Sequence, residues 1–366
     1  MDFTVNGKNY NRKNVFIIAE AGTAHGGDAA KARKLIASAA EAGADCFKTQ
    51  IVYADEIIHP LTGLVPLPGG EVPLYDVFKS LEVKDDFYAR MKEDAESKGL
   101  LFLASPFGPR SAECLRRLSP ELVKIASPEL NYTQLLQTVG AWSLPVLLST
   151  GVSELADIER ALSFFCEGAV CLLHCVTAYP APETDYNLKL IETLGAVFGV
   201  STGLSDHSLD PCLVPLLAVA CGACAVEKHL RVSGEGGTGL DDPVALDGAA
   251  FAKMCAAIRH AEKLDAAAII AEVSEEYSEE KVRLVLGDGV KRPAPSEAKN
   301  YTRTNRSVHA LRYIAAGEAL GPENCAILRT EKVLRPGMPP FMLEKIMGRT
   351  ARRPIPSGEG IRFEDV

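Results

Sequence analysis

Two lysines and two histidines carry the first chemical argument. Lys48 lies in D-C-F-K-T-Q, Lys124 in L-V-K-I-A-S, His207 in G-L-S-D-H-S and His229 in A-V-E-K-H-L, each at the polar end of a short apolar run. Read the same way, the other runs end in Glu20, Gln50, Ser105, Ser127 with Glu129, Ser149 with Thr150, His174, Ser205 and Glu227. Side chains alternate along a strand, so Lys48 and Gln50 share one face and Glu227 and His229 another, with Lys228 turned away. If the runs are strands of one closed sheet, both lysines enter one mouth, where like charges about 4 Å apart repel by about 4 kcal/mol at an effective dielectric near 20. Such a pair needs nearby carboxylates or a phosphate- or carboxylate-bearing ligand, helped by the hydroxyls of Ser105 and Ser127. A lysine salt-bridged in the wall or snorkelling outward is the plainer alternative.

His207 and His229 end the last two runs and, as neighbours, could hold a divalent metal with oxygen from Glu20, Asp206 or Asp241. Mixed nitrogen and oxygen donors suit Mn²⁺, Zn²⁺ or Fe²⁺ better than Ca²⁺. The plainer alternative is two histidines that only hydrogen-bond. His174 and Cys175 offer the same donor types and are read as structural.

The elements that must position these groups are short runs rich in Val, Ile, Leu and Phe, beginning near 15, 45, 101, 122, 145, 169, 197 and 224. Helical patterns separate them, the first closing on Gly43 as a C-cap. Most units repeat every 20 to 30 residues, and eight strand-helix units predict an α/β fold, a (β/α)8 TIM barrel whose active site lies at the strand ends. An open doubly wound sheet is the alternative, disfavoured because no G-x-G-x-x-G follows the first strand. Residues 51 to about 82 read as a long loop over the mouth. Beyond residue 265 come a charged helix, S-E-E-Y-S-E-E-K-V-R, and a Pro-containing linker, giving a barrel domain over 1–285, a linker over 286–304 and a second domain over 305–366. There Ile314-Ala-Ala-Gly-Glu-Ala-Leu320 echoes Ile355-Pro-Ser-Gly-Glu-Gly-Ile361, which predicts two similar turns in a compact module. From residue 291 onward 14 basic and 8 acidic residues give +6, leaving −15 for the rest of a −9 chain, so the module should dock on an acidic barrel.

That net charge argues against a nucleic-acid binder. The N-terminus shows no targeting pattern and the apolar run around 211–226 is broken by Pro211, Pro215 and Gly222, so a cytoplasmic chain without a membrane partner is expected. Of the ten cysteines, Cys221 and Cys224 have a redox spacing, but Gly222 between a helix and a strand favours a structural role.

Taken in order, I-I-A-E-A-G-T-A-H-G-G-D, G-A-D-C-F-K-T-Q, F-L-A-S-P-F, V-K-I-A-S-P-E, L-S-T-G-V-S, L-H-C-V-T-A-Y-P-A-P, G-L-S-D-H-S and E-K-H-L resemble the N-acetylneuraminate (sialic acid) synthase family, which includes legionaminic and pseudaminic acid synthases. N-R-S-V-H-A, I-A-A-G-E and I-P-S-G-E resemble its C-terminal antifreeze-like (SAF) domain. The resemblance implies condensation of phosphoenolpyruvate with an open-chain N-acyl hexosamine, using Mn²⁺ or Mg²⁺. It implies that Lys48, Ser105, Lys124, Ser127 and Ser205 hold phosphoenolpyruvate, that His207 and His229 hold the metal, and that Glu129 lies near the reacting centre. Glu20, Gln50, Tyr179 and Asp241 match other active-site positions, and Arg306 matches an arginine reaching the sugar's N-acyl group from a module seated on a partner's barrel, implying a domain-swapped homodimer. Ala24, Thr49, Pro128, Thr177 and Leu240-Asp241-Asp242 depart from the family pattern, chiefly on the sugar side. A non-catalytic sugar-binding homologue and a related phosphoenolpyruvate-dependent keto-sugar acid synthase are the other readings.

Overall fold

The computed structural model describes residues 2–67, 70–166, 168–232, 234 and 240–366. Eight parallel strands, β1 (Phe16–Gly22), β2 (Cys46–Gln50), β3 (Leu101–Ser105), β4 (Val123–Ile125), β5 (Val146–Ser149), β6 (Val170–Cys175), β7 (Ser201–Asp206) and β8 (Ala225–His229), form one sheet. Their spatial order is β3-β2-β1-β8-β7-β6-β5-β4, and β3 and β4 lie side by side, so the sheet rolls into a barrel as the alternating runs predict.

Helices return the chain between strands: α1 (Ala29–Ala42), α2 (Asp85–Ser97), α3 (Pro109–Arg117), α4 (Thr133–Gly140), α5 (Leu155–Leu162), α6 (Leu190–Phe198), α7 (Leu213–Ala220) and α8 (Gly248–Ala261). In α1 the Asp28 carboxylate accepts from the N–H groups of Ala30 and Lys31, and Gly43, with φ 90°, ends the helix as predicted. Strand β7 starts four residues later than expected, because α6 runs on to Phe198 and stops at Gly199, with φ 64°.

Alternation divides each strand between two cores. Ile17, Phe47, Phe102, Leu148, Leu172, Leu204 and Val226 pack outward under the helices. Phe16, Ile18, Cys46, Leu103, Leu147, Cys171, Leu173 and Ala225 fill the barrel, closed at its base by Phe3, Val5 and Tyr10 of an N-terminal hairpin (Phe3–Val5, Lys8–Tyr10) that the sequence did not reveal. Cys224 sits in that inner core 3.4 Å from Cys171 as a thiol, so the C-G-A-C spacing is structural.

The segment read as a loop over 51–82 carries structure of its own, a hairpin (Leu64–Leu67, Gly70–Pro73) and a helix (Leu74–Ser80); Pro68 and Gly69 lie outside the described residues. The charged helix after residue 265 is two helices, Ala266–Tyr277 and Glu279–Leu286. In the C-terminal module strands Arg306–Ala310 and Cys325–Arg329 pair antiparallel, and the two echoing turns bond through Ile314 and Ile355, each with a left-handed glycine of φ 83°. The module rests on the 51–82 segment: Arg329 N–H donates to Ile57 O (2.8 Å) and Val333 N–H to Thr62 O (3.2 Å). Among the described residues no helix is long and apolar enough to cross a membrane.

Candidate active site

Strand register builds the mouth. Glu20 is level with His229 on one side and Lys48 on the other, and Ser205 is level with Glu227. Each points inward by the same alternation that sends Ile18, Cys46 and Ala225 into the inner core. One narrow chamber is lined by Glu20, Lys48, Gln50, Ser105, Lys124, Ser127, Ser149, Tyr179, Ser205, Glu227, His207 and His229, together with Cys175 and Thr177. Most of the strand-end residues, though not Glu129, Thr150 or His174, therefore share one chamber.

The two lysines are reconciled by carboxylates. Glu227 bridges them, at 3.1 Å from Lys124 and 3.5 Å from Lys48, and also accepts from Ser205 Oγ at 3.0 Å, while Glu20 contacts Lys48 on its other side. All four charged groups are buried. Burial alone would raise the Glu227 carboxyl, but Lys124 and Lys48 hold it down at about 2. Burial pulls Lys48 down to about 7 against the attraction of Glu227. Buried hydroxyls of Ser105, Ser149 and Thr177 have no hydrogen-bond partner there. Unpaired buried polar atoms gathered in one cleft mark a polar ligand's seat. Gly151 is required at its edge, since a Cβ there would lie 2.1 Å from Thr177 Oγ1 and 2.9 Å from Ser127 Oγ.

His207 and His229 face each other with ring centres 5.5 Å apart, and Tyr179 stacks on His207 at 4.2 Å. His207 Nδ1 bonds the Val176 carbonyl at 2.8 Å, which leaves Nε2 free to ligate. Burial above all holds His229 well below its ordinary value, which favours the neutral ring with the lone pair a metal needs. Among the described residues no three His, Cys, Asp or Glu groups converge on one point. The pair thus fits an ion as two nitrogen donors whose other positions face the chamber.

Several expected residues land elsewhere. Asp206 is turned outward, where it accepts from Lys228 (2.6 Å) and Tyr186 (2.7 Å), because Ser205 before it faces in; it is no metal donor. That pair also accounts for Lys228 as structural. Glu227 supports the lysines rather than the histidines. His174 points away from the mouth and bonds Tyr186 O, as its structural reading requires. Asp241 stands 3.4 Å from Gln50 Nε2 in a second chamber of about 170 Å³, lined also by Thr23, Phe107, Leu240, Tyr179 and Arg329. Burial raises its carboxyl.

Glu129 and Arg306 meet each other. Arg306 is fully buried and gives Nε and Nη2 to Glu129 Oε1 (3.0 and 2.9 Å), Nη2 also to Phe107 O (2.7 Å) and Nη1 to Glu56 O. Neither Glu129 nor Arg306 lines either chamber, and within one chain the pair ties the module to the barrel. Arg329, which sequence reasoning missed, gives Nε and Nη2 to the same Glu129 oxygen (3.0 and 2.7 Å) and lines the second chamber. No local motif marks it; only pairing of its strand opposite Arg306 brings it there. Of the departures, Thr49 faces away and bonds Gly22 O, while Pro128 and Thr177 line both chambers.

A model of the NeuB family matches residues 35–269, and a model of the SAF domain matches residues 305–366. The chain belongs to the NeuB family. The chain is 29% identical over 362 residues to N,N'-diacetyllegionaminic acid synthase of Legionella pneumophila, covering 96% of this chain and 94% of that one. The crystal structure of spore coat polysaccharide biosynthesis protein spsE from Bacillus subtilis superposes with a TM-score of 0.82 at 31% identity, over 100% of this chain and 99% of that one. That of N-acetylneuraminic acid (sialic acid) synthetase from Leptospira borgpetersenii superposes with a TM-score of 0.64 at 31% identity, over 82% of this chain and 95% of that one. The mouth of this chain's barrel is the lysine, carboxylate and histidine chamber.

Proposed function

We propose that the protein is a nonulosonic acid synthase, a transferase joining phosphoenolpyruvate to an N-acyl hexosamine with release of phosphate. The observation that carries this reading is one buried mouth in which two lysines alternate with carboxylates beside two facing imidazoles. Phosphoenolpyruvate has two anionic ends, and Lys48 and Lys124 with the hydroxyls of Ser105, Ser127 and Ser205 are arranged to take both. A divalent ion, Mn²⁺ or Mg²⁺, held by His207 and His229 would supply Lewis acidity toward the sugar's aldehyde oxygen. Gln50, Asp241 and Tyr179 would hold the open-chain sugar in the second chamber, and Glu20 would orient Lys48. The C2=C3 electron pair of phosphoenolpyruvate forms the new bond from C3 to the aldehyde carbon. Water then adds at C2 and the C2–O bond to phosphate breaks to leave a ketone, the two protons of water passing to the aldehyde oxygen and the departing phosphate.

The test is phosphate release from phosphoenolpyruvate with Mn²⁺ and a panel of N-acyl hexosamines. Release that depends on the sugar is expected. None with any sugar, from folded protein that binds metal, would sink the catalytic reading in favour of a sugar-binding homologue.

Arg329 gives a further prediction. Glu129 keeps Arg306 when Arg329 is lost, so Arg329→Met should leave the fold intact and change the wall of the sugar chamber. We expect the sugar's KM to rise about tenfold, a typical loss of about 1.4 kcal/mol, with the KM for phosphoenolpyruvate within twofold. Equal changes in both would remove Arg329 from the sugar side.

We also propose a homodimer. The +6 segment from residue 291 onward and the −15 remainder support docking between chains as well as within one, and sedimentation of the full chain decides it.

A further inference from the structure

Glu297 belongs to the linker, where an acidic side chain would ordinarily face water, yet it is almost wholly buried. Its Oε2 accepts from Thr177 N–H at 2.7 Å and Val152 N–H at 3.1 Å, and its Oε1 from Ala294 N–H at 3.1 Å. The N–H of Thr177 and the carbonyl of Val176 are two ends of one planar peptide group. That carbonyl accepts from His207 Nδ1 at 2.8 Å. A carboxylate, a peptide and an imidazole therefore stand in line from the linker to the mouth.

Hydrogen bonds in a chain polarise one another: a carboxylate on the N–H end makes the carbonyl oxygen a stronger acceptor. A stronger acceptor holds the proton on His207 Nδ1 and leaves the lone pair on Nε2. In metal sites a carboxylate bonded directly to a ligating histidine does the same. Here a peptide group is interposed, which lets a residue outside the barrel reach the ring. We infer that Glu297 is a positioning residue for His207, acting through the Val176–Thr177 peptide to fix its tautomer and raise its affinity for a metal ion.

The competing role is mechanical. Val152 has φ 41°, a conformation a β-branched residue rarely adopts, and Glu297 could serve only to tie the loops after β5 and β6 to the linker. Asn305 makes a second such tie without a charge, its Nδ2 donating to Val152 O at 2.9 Å. The two ties can therefore be compared.

The experiment uses the full chain, metal-free and mildly alkaline, labelled with ¹⁵N-histidine, the His207 signals being assigned by their absence from His207→Asn. Wild type should show His207 with its proton on Nδ1. Glu297→Gln keeps the shape and removes the charge; it should move His207 toward a mixture of tautomers and weaken Mn²⁺ binding, read as free-ion spin resonance, about tenfold. Asn305→Ala, which loosens the same loop without touching a charge, should change neither. An unchanged tautomer in folded Glu297→Gln, a proton on Nε2 in wild type, or equal effects of the two variants would overturn the relay. The metal half rests on His207 being a ligand. Were wild type to bind no Mn²⁺, that assignment would fall while the tautomer comparison still decided the role of Glu297.

Discussion

Glu227→Gln is expected to raise the KM for phosphoenolpyruvate about a hundredfold. The carboxylate lies between two buried ammonium groups and is bonded to one of them, so it screens each lysine from the other. Removing one partner from a buried ion pair costs about 3–5 kcal/mol, because the remaining charge is left uncompensated. If roughly 2.7 kcal/mol of that is felt at the ligand's seat, the effect is a hundredfold. Lys48 is the more exposed to the loss: burial already pulls it down to about 7, and Glu227 is the main attraction working against that. The lysine would shed its proton and withdraw a cation from the ligand. Calorimetric titration with phosphoenolpyruvate checks this directly. Binding as tight as wild type would mean that Glu227 only neutralises the empty mouth and that the ligand displaces it.

The mouth was legible because strand periodicity is a local property. Once Lys48, Lys124, His207 and His229 were placed at strand ends, alternation alone turned them inward, and the barrel did the rest. The same rule excludes Asp206, which follows the inward Ser205; it was misplaced by attending to its donor type and not its parity. The start of β7 was misjudged because V-F-G-V is apolar throughout, and only the left-handed Gly199 separates helix from strand. The basal hairpin was missed because strands of three residues are too short to show a period.

Other features were not legible for a physical reason. Glu129, Arg306, Arg329 and Glu297 take their meaning from contacts across 120 residues or more. A buried carboxylate such as Glu297 has no local signature, since its partners are backbone N–H groups that every residue carries. The resemblance placed Arg306 on the substrate; the structure of one chain places it against the chain's own Glu129.

Arg306→Ala decides between those placements and should have the largest effect on stability. Every guanidinium nitrogen is engaged, to Glu129, Phe107 O, Glu56 O and Ile57 O, and its own N–H and carbonyl bond the side chain of Asn131. These contacts join the module's first strand to the loops after β2, β3 and β4, so they seal the mouth as well as hold the module. Truncation to alanine leaves Glu129 with Arg329 alone and four carbonyl oxygens, those of Glu56, Ile57, Phe107 and Ile327, without that donor. A loss of about 3–5 kcal/mol follows from the buried pair, visible as a lower midpoint in denaturant unfolding. With the module unseated, water enters the mouth, and kcat should fall together with kcat/KM for both substrates. A variant that unfolds like wild type and raises only the sugar's KM would show that Arg306 is spent on substrate. Glu129 would then be paired with a partner's module or with none, and the domain-swapped arrangement would stand in place of the closed single chain.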